Sequence, residues 1–166
     1  MNSVRERVIR RGKQCLTSYR CFHNGFIRGT LSSAAQTMKV GQYAEISRVF
    51  KPEEVHQYGI LIGDMNPIHL NRGDGKIVVH GMLTSSLFSS IFGTLIPGSV
   101  YRSQSLLFHS PIYCNEVVLG KVKVTSVVDR KRLGVLVMCQ TTVEKYTNDN
   151  TNKICVSGTA EVLLPR

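Results

Sequence analysis

Apolar and polar residues alternate along the second half of the chain, where β-branched residues are frequent. After the turn sequence Pro97-Gly98, this pattern predicts strands over residues 100–109, 116–128, 134–146 and 153–164. The polar stretches 129–132 and 147–150 fall between successive strands and are expected to form hairpin connections. An earlier β-rich stretch, residues 43–50, predicts a first strand.

Two helices are predicted between that first strand and the later ones. In the first helix, Pro52 occupies the opening turn, acidic residues follow at the positive end of the helix dipole, and Gly63 is a plausible end. The second spans residues 81–93, with apolar residues on most sides and small serines and threonines between them, which is typical of a buried helix. The order strand, helix, buried helix and long antiparallel meander predicts an α+β fold, with strand order left open.

Basic residues are concentrated at the start of the chain. The net charge is +10, and residues 1–38 contribute +6 of it through one acid, Glu6, and seven basic residues: Arg5, Arg7, Arg10, Arg11, Lys13, Arg20 and Arg28. An Arg-rich, acid-poor leader is typical of a mitochondrial transit peptide, with a disordered basic tail for nucleic acid as the alternative. We therefore expect residues 1–37 to be a transit peptide, residues 38–166 to be the folded domain, and the mature protein to reside in the mitochondrial matrix.

The remaining composition excludes several classes of protein. The five cysteines are odd in number and lack a CxxC motif, so neither a disulfide framework nor a zinc site is expected. Cys139 and Cys155 lie in predicted strands and are interpreted as small buried apolar residues. No apolar run is long enough to span a membrane, and the +4 on residues 39–166 is too mild to predict nucleic-acid binding.

Candidate chemistry is concentrated in Asp64-Met65-Asn66-Pro67-Ile68-His69, directly after the first predicted helix. A carboxylate and an imidazole five residues apart can converge in a loop that Pro67 makes rigid, and together they can take and give a proton. Asn66 can fix the loop through its own side-chain hydrogen bonds. The alternative is an ordinary tight turn, because Asp and Asn are common turn residues.

A second motif, His80-Gly81, stands at the start of the predicted buried helix. The first backbone N–H groups of a helix lack intrahelical acceptors and point along the positive end of the dipole. Since Gly81 has no side chain, a substrate oxygen can approach its N–H, which makes this a candidate oxyanion site. The alternative is a glycine that only lets the chain enter the helix.

These motifs, followed by Ser103-Gln104-Ser105-Leu106-Leu107-Phe108-His109-Ser110-Pro111, resemble the MaoC-type hydratase/dehydratase family over residues 40–164. The resemblance implies a hot-dog fold, in which a curved antiparallel sheet wraps around one long helix. It implies reversible dehydration of (3R)-3-hydroxyacyl thioesters in mitochondrial type II fatty acid synthesis, with the acyl group on acyl carrier protein or CoA. It also implies a homodimer without metal or redox cofactor. From the hydropathy and charge we expect neither membrane insertion nor a nucleic-acid partner.

The resemblance also assigns roles to individual residues. Asp64 and His69 become the acid/base pair, Gly81 supplies the oxyanion N–H, and Asn66 holds the loop. His80 and Ser86 are supporting candidates for substrate binding. Ser86 is placed on the helix face toward the sheet, where a simple packing role is the alternative.

The chain departs from the family pattern between the two motifs. Only residues 70–79 separate His69 from His80, and family members usually have a longer segment there. A thinner pocket wall or a less firmly held acid/base pair is therefore expected. The alternative function is accordingly a catalytically impaired protein that still binds acyl thioesters.

Overall fold

The computed structural model describes residues 18–22, 25–70, 73, 76–146 and 151–165. Within these residues, seven strands form one antiparallel sheet in the order β1-β2-β3-β5-β6-β7-β4. The strands are β1 (Ser18–Phe22), β2 (Gly25–Gly29), β3 (Tyr43–Val49), β4 (Val100–Phe108), β5 (Val117–Asp129), β6 (Val135–Tyr146) and β7 (Asn152–Leu164). The five strands predicted from residue 43 onward are confirmed to within one residue at each end.

Both predicted helices are present. Helix α1 (Pro52–Ile62) begins with a capping box, in which the Glu54 carboxylate accepts a hydrogen bond from the Lys51 N–H at 2.9 Å. It ends at Gly63, whose φ of +77° lies in the left-handed region that glycine adopts without strain. Helix α2 (Gly81–Leu95) extends two residues beyond the predicted end.

The core lies between α2 and the sheet. Helix α2 contacts β3, β4, β5 and β6, and its apolar residues Leu87, Phe88, Ile91, Phe92 and Leu95 are buried. Facing them are buried residues of the strands, among them Val118, Val122 and Val137. Burial on most sides explains why α2 carries small polar residues where it does not carry large apolar ones. This is the α+β hot-dog arrangement that the sequence predicts.

Gly120 on β5 sets the distance between α2 and the sheet. A Cβ at this position would lie 2.9 Å from the Cβ of Leu87 and 3.3 Å from Cγ2 of Ile46. The Cβ of Leu87 is fixed to the helix backbone, so α2 can relieve the contact only by moving away from β5.

We expect Gly120→Ala to lower the free energy of unfolding by about 1–3 kcal/mol, because it overpacks this contact. Urea denaturation followed by circular dichroism measures the change. Gly93→Ala is the control, since an added Cβ there meets nothing within 4 Å on the exposed face of α2. That variant should gain about 0.5–1 kcal/mol from the better helix propensity of alanine. Equal stability of both variants would contradict the close approach of α2 at Gly120.

The packed chain begins earlier than the expected boundary at residue 38. Strand β2 pairs with β3, Ile27 is fully buried, and Leu31, Ala35 and Met38 are also buried. Arg28, counted with the leader in the sequence, forms an ion pair with Glu45 on β3. The assignment of residues 25–37 to a disordered leader is therefore corrected, because their apolar side chains cover part of the core. Residues 1–17 lie outside the described part of the chain.

The remaining sequence predictions concern two cysteines, the connections between strands and membrane spans. Cys139 and Cys155 are buried on β6 and β7, as predicted, and burial raises the pKa of the Cys139 thiol to about 12. A short 3-10 turn at Lys131–Leu133 connects β5 to β6, in agreement with the predicted hairpin. The second predicted connection, 147–150, lies outside the described residues. None of the described helices is long and apolar enough to cross a membrane.

Candidate active site

The loop after α1 is held by its own side chains. Oδ1 of Asp64 accepts a hydrogen bond from the N–H of Asn66 at 3.2 Å, and Oδ1 of Asn66 accepts one from the N–H of Ile68 at 3.3 Å. Pro67 then opens a 3-10 turn that ends at His69. The loop-fixing hydrogen bond predicted for Asn66 is confirmed. Since Oδ1 of Asp64 is engaged in the turn, Oδ2 is the oxygen that faces the neighbouring imidazoles.

His69 is fixed in one tautomer when neutral. Its Nδ1 lies 2.7 Å from the carbonyl oxygen of Val78, and because a carbonyl can only accept, Nδ1 carries the hydrogen. The other nitrogen, Nε2, lies 3.8 Å from Oδ2 of Asp64. This separation is longer than a direct hydrogen bond and leaves both atoms able to contact a third group. The His69 side chain is 10% exposed and that of Asp64 is 45% exposed, so the pair opens to solvent on the carboxylate side.

His80 lies against both members of this pair. Its ring stacks on that of His69 with 3.7 Å between the centroids and 21° between the planes. Its Nε2 donates to the backbone carbonyl of Asp64 at 3.2 Å and lies 3.9 Å from Oδ2 of the same residue. The edge of the ring meets Tyr58 of α1 at 5.2 Å between centroids. The structure thus brings Asp64, His69 and His80 into one cluster.

The segment before His80 is clamped on two sides. The N–H of Val78 donates to the carbonyl oxygen of Ile68 at 3.0 Å, and the N–H of Val79 donates to the carbonyl oxygen of Ile112 at 2.8 Å. The carbonyl of Ile77 accepts from Cys114 at 2.9 Å. Although the stretch between the two motifs is short, its last residues are therefore fixed to both the loop of residues 64–69 and the turn after β4.

Gly81 is the first residue of α2, and its N–H has no acceptor four residues earlier within the helix. Gly81 lines a cleft of about 450 Å³. Most of the lining is apolar, with a few polar groups from His69, Thr84, His109 and Ser110; the remaining lining residues are Ile68, Val78, Val79, Met82, Phe108, Pro111, Ile112 and Val156. An apolar cleft with few polar groups suits a ligand with a hydrocarbon chain.

Ser86 is not part of this cleft. It is exposed, and its hydroxyl donates to the carbonyl of Leu83 at 2.6 Å, so the predicted orientation toward the sheet is wrong. Because each helical residue turns by about 100°, the buried positions are instead Thr84 and Ser85, which donate to the carbonyls of His80 at 3.3 Å and Gly81 at 2.9 Å. Thr84 also lines the cleft.

Gly59 is a residue of this site that the sequence analysis missed. A Cβ on this glycine of α1 would lie 2.9 Å from the carbonyl oxygen of Asp64 and 3.4 Å from the ring of His80. The available signal was a glycine inside a helix, which is unfavourable unless something packs against it. Phe108 was also not predicted as a site residue. Its ring lies 2.6 Å from the position that a Cβ of Gly81 would occupy.

The cluster does not fit a metal ion. One ligand atom from each of Asp64, His69 and His80 falls within 4.8 Å of the others. However, the two imidazoles are stacked, so an ion between them would stand out of each ring plane by about half of their 3.7 Å separation. Imidazole binds metals in its plane at about 2.0–2.1 Å.

Comparisons with known proteins identify the family of this chain. Residues 33–147 match the model of the MaoC like domain. An (R)-specific enoyl-CoA hydratase of Aeromonas caviae is 35% identical, over 80% of this chain and 99% of that protein. A mitochondrial 3-hydroxyacyl-[acyl-carrier-protein] dehydratase of Arabidopsis thaliana is 33% identical, over 84% of this chain and 86% of that protein.

Solved structures agree with the fold. The (R)-hydratase of A. caviae aligns with a TM-score of 0.67 and 33% identity, over 78% of this chain and 99% of that one. An R-hydratase of Pseudomonas aeruginosa aligns with a TM-score of 0.70 and 25% identity, over 81% of this chain and 87% of that one. The chain therefore belongs to the family of proteins built on the MaoC like domain.

Proposed function

We propose that this protein is a hydro-lyase that interconverts (3R)-3-hydroxyacyl thioesters and trans-2-enoyl thioesters. The observation that carries the proposal is that His69 and Gly81, the first residue of α2, line the same apolar cleft, while Oδ2 of Asp64 lies 3.8 Å from Nε2 of His69. A carboxylate and an imidazole supply the two proton transfers, and the helix start supplies a donor for the thioester carbonyl. The activities named for the relatives, enoyl-CoA hydratase and 3-hydroxyacyl dehydratase, support the same reaction class.

In the dehydration direction, the N–H of Gly81 holds the thioester oxygen and polarises the carbonyl. One member of the Asp64–His69 pair removes the proton from C2. The bond between C3 and its hydroxyl oxygen breaks, and the other member of the pair protonates the departing hydroxyl, which leaves as water. A double bond forms between C2 and C3. Hydration is the reverse, with the water held between Oδ2 of Asp64 and Nε2 of His69.

The tautomer of His69 restricts its part in this scheme. Because Nδ1–H donates to Val78, only Nε2 can exchange a proton with substrate or water. Nε2 faces Asp64, so both catalytic atoms act on the same small volume. We place the acyl chain along the apolar part of the cleft, against Phe108, Ile112 and Val156.

The carrier and the compartment belong to the same proposal. We propose that the acyl group is carried on acyl carrier protein or CoA, and that the reaction serves fatty acid synthesis in the mitochondrial matrix. The basic, acid-poor residues 1–17 and the mitochondrial relatives from Arabidopsis thaliana and Solanum lycopersicum support this location. Sequencing the N-terminus of the mature protein from fractionated cells tests it. Recovery of the uncleaved chain in the cytosolic fraction would contradict it.

We propose a second copy of the chain as the partner. Large apolar side chains are exposed around the site, with Leu61 at 80%, Ile60 at 61%, Met82 at 57% and Ile68 at 48% exposure. Exposed apolar side chains concentrated in this way usually mark an interaction surface. Sedimentation equilibrium should give twice the mass of one chain, and a monomer at micromolar concentration would contradict the dimer.

Hydration of crotonyl-CoA by the purified full-length chain tests the proposed reaction. The enoyl absorbance should decay, and chiral analysis should identify (3R)-3-hydroxybutyryl-CoA as the product. Formation of the (3S) product would reject the stereochemical assignment. Binding of crotonyl-CoA without turnover would reject the enzyme and favour the alternative, a catalytically impaired protein that binds acyl thioesters.

A further inference from the structure

We propose that His80 is a positioning residue that holds Asp64 and His69 in register, so that proton transfer depends on a unit of three residues. The inference rests on the proposed function and deepens it. The sequence placed His80 among the substrate-binding candidates. In the structure its side chain is 3% exposed and does not line the cleft, although both chain neighbours, Val79 and Gly81, do.

The first contact fixes Asp64. The Nε2 atom of His80 donates to the backbone carbonyl of Asp64 at 3.2 Å, because a carbonyl can only accept. This bond joins the start of the catalytic loop to the start of α2, sixteen residues later in the chain. The carboxylate of Asp64 is 45% exposed and has few other constraints, so anchoring its backbone limits where Oδ2 can move.

The second contact fixes His69. The hydrogen bond from Nδ1 of His69 to the carbonyl oxygen of Val78 fixes the direction of the Nδ1–H group. The ring can still rotate about the axis of this hydrogen bond. The face of His80, 3.7 Å away and tilted by only 21°, blocks that rotation on one side. Together the two constraints aim Nε2 of His69 at Oδ2 of Asp64.

His80 is itself firmly placed. Its carbonyl accepts hydrogen bonds from the N–H of Thr84 at 3.0 Å and from the Thr84 hydroxyl at 3.3 Å. Its ring packs against that of Tyr58 in a T-shaped arrangement, and the lack of a side chain at Gly59 leaves space for the His80 ring. Because the proposed oxyanion donor is on the next residue, Gly81, one rigid residue sets the position of the acid/base pair relative to that donor.

Two substitutions separate the contacts. His80→Phe keeps a ring that can stack on His69 but removes the donor to Asp64. His80→Gln keeps an amide donor but removes the ring. We expect each to lower kcat about 10–100-fold, because small misplacements of catalytic groups have effects of this size. KM for crotonyl-CoA should stay within about threefold, since His80 does not line the cleft.

A matched control measures the effect of losing a buried hydrogen-bonding group elsewhere. Thr141 is fully buried on β6, accepts a hydrogen bond from Gln104 at 2.9 Å and does not line the cleft. Thr141→Val should lose stability and keep the wild-type kcat. The double variant His80→Phe/His69→Ala should be little slower than His69→Ala, because the pair that His80 positions can no longer act as a unit once His69 is gone.

A readout without catalysis distinguishes the failure of this inference from the failure of the proposed function. The chain has five histidines, so the imidazole ¹⁵N resonances can be assigned by single substitutions. The resonances of His69 should shift in His80→Phe and stay unchanged in Thr141→Val. Unchanged His69 resonances, or wild-type kcat in His80→Phe, would overturn the positioning role. A shift of those resonances in a protein without hydratase activity would support the geometry and reject the proposed function.

Discussion

Asp64→Asn is expected to reduce kcat for hydration of crotonyl-CoA by about 10³-fold. An amide cannot take up a proton at neutral pH, and general acid–base groups contribute about 10²–10⁴-fold to rate. Asparagine retains a side-chain oxygen, so the turn that Asp64 forms with the N–H of Asn66 can persist. The loss should therefore appear in kcat, with little change in KM or in the free energy of unfolding. Stopped-flow or steady-state kinetics with the full-length protein provide the measurement.

Two further variants make the interpretation specific. His69→Ala should cause a loss of similar size, and the double variant with Asp64→Asn should be little slower, because the two groups act in one reaction. Asp129→Asn changes the same chemical group at the β5–β6 connection, where Oδ1 accepts from Lys131 at 2.7 Å, and should keep the wild-type rate. If Asp64→Asn retained most of the activity, the acid/base assignment would be wrong.

Much of the fold could be predicted because the periodicity of the sequence matches the burial that the fold requires. In α2, the spacing of Leu87, Phe88, Ile91 and Phe92 leaves little choice but a buried helix. The start of the folded domain could not be predicted from the sequence in this way. Residues 25–37 are rich in Gly, Ser, Thr and Ala and contain Arg28 but no acid, so their composition resembles the leader. Their burial depends on pairing with β3, which no local pattern encodes.

The candidate site also has some features that the sequence predicts and others that it does not. The Asp64 and His69 pair could be predicted because both residues lie in one short loop with a strong turn former between them. The contacts of His80 could not, since the stack on His69 and the bond to the Asp64 carbonyl depend on how α2 approaches α1. For Ser86, an error of one position on the helix, about 100°, was enough to exchange the buried and exposed faces.

Removal of the N–H of Gly81 is the second large effect that the geometry predicts. Proline is the only residue without this group, and it is well suited to the first position of a helix. The preceding residue, His80, has φ of −55° and ψ of +131°, a conformation that residues before proline adopt. Gly81→Pro can therefore delete the donor while α2 remains intact.

A proline also adds a Cβ, which would lie 2.6 Å from Cε1 of Phe108, so a steric control is required. Gly81→Ala adds the same carbon and keeps the N–H. We expect it to slow hydration about 10-fold through displacement of the Phe108 ring in the cleft. Gly81→Pro should be slower than Gly81→Ala by a further factor of about 10²–10³, the usual contribution of one oxyanion donor.

The comparison between these two variants removes the effect of the added Cβ, because both must move the same ring of Phe108; what remains is the replacement of the N–H by the ring carbon Cδ of proline. The effect should reside in kcat, since the donor strengthens its bond as charge develops on the thioester oxygen in the transition state. Circular dichroism should show that both variants keep the helix. Equal rates for alanine and proline at this position would mean that the thioester oxygen is held elsewhere. The N–H of Met82, the next residue of α2 and also part of the cleft lining, would then be the donor to test.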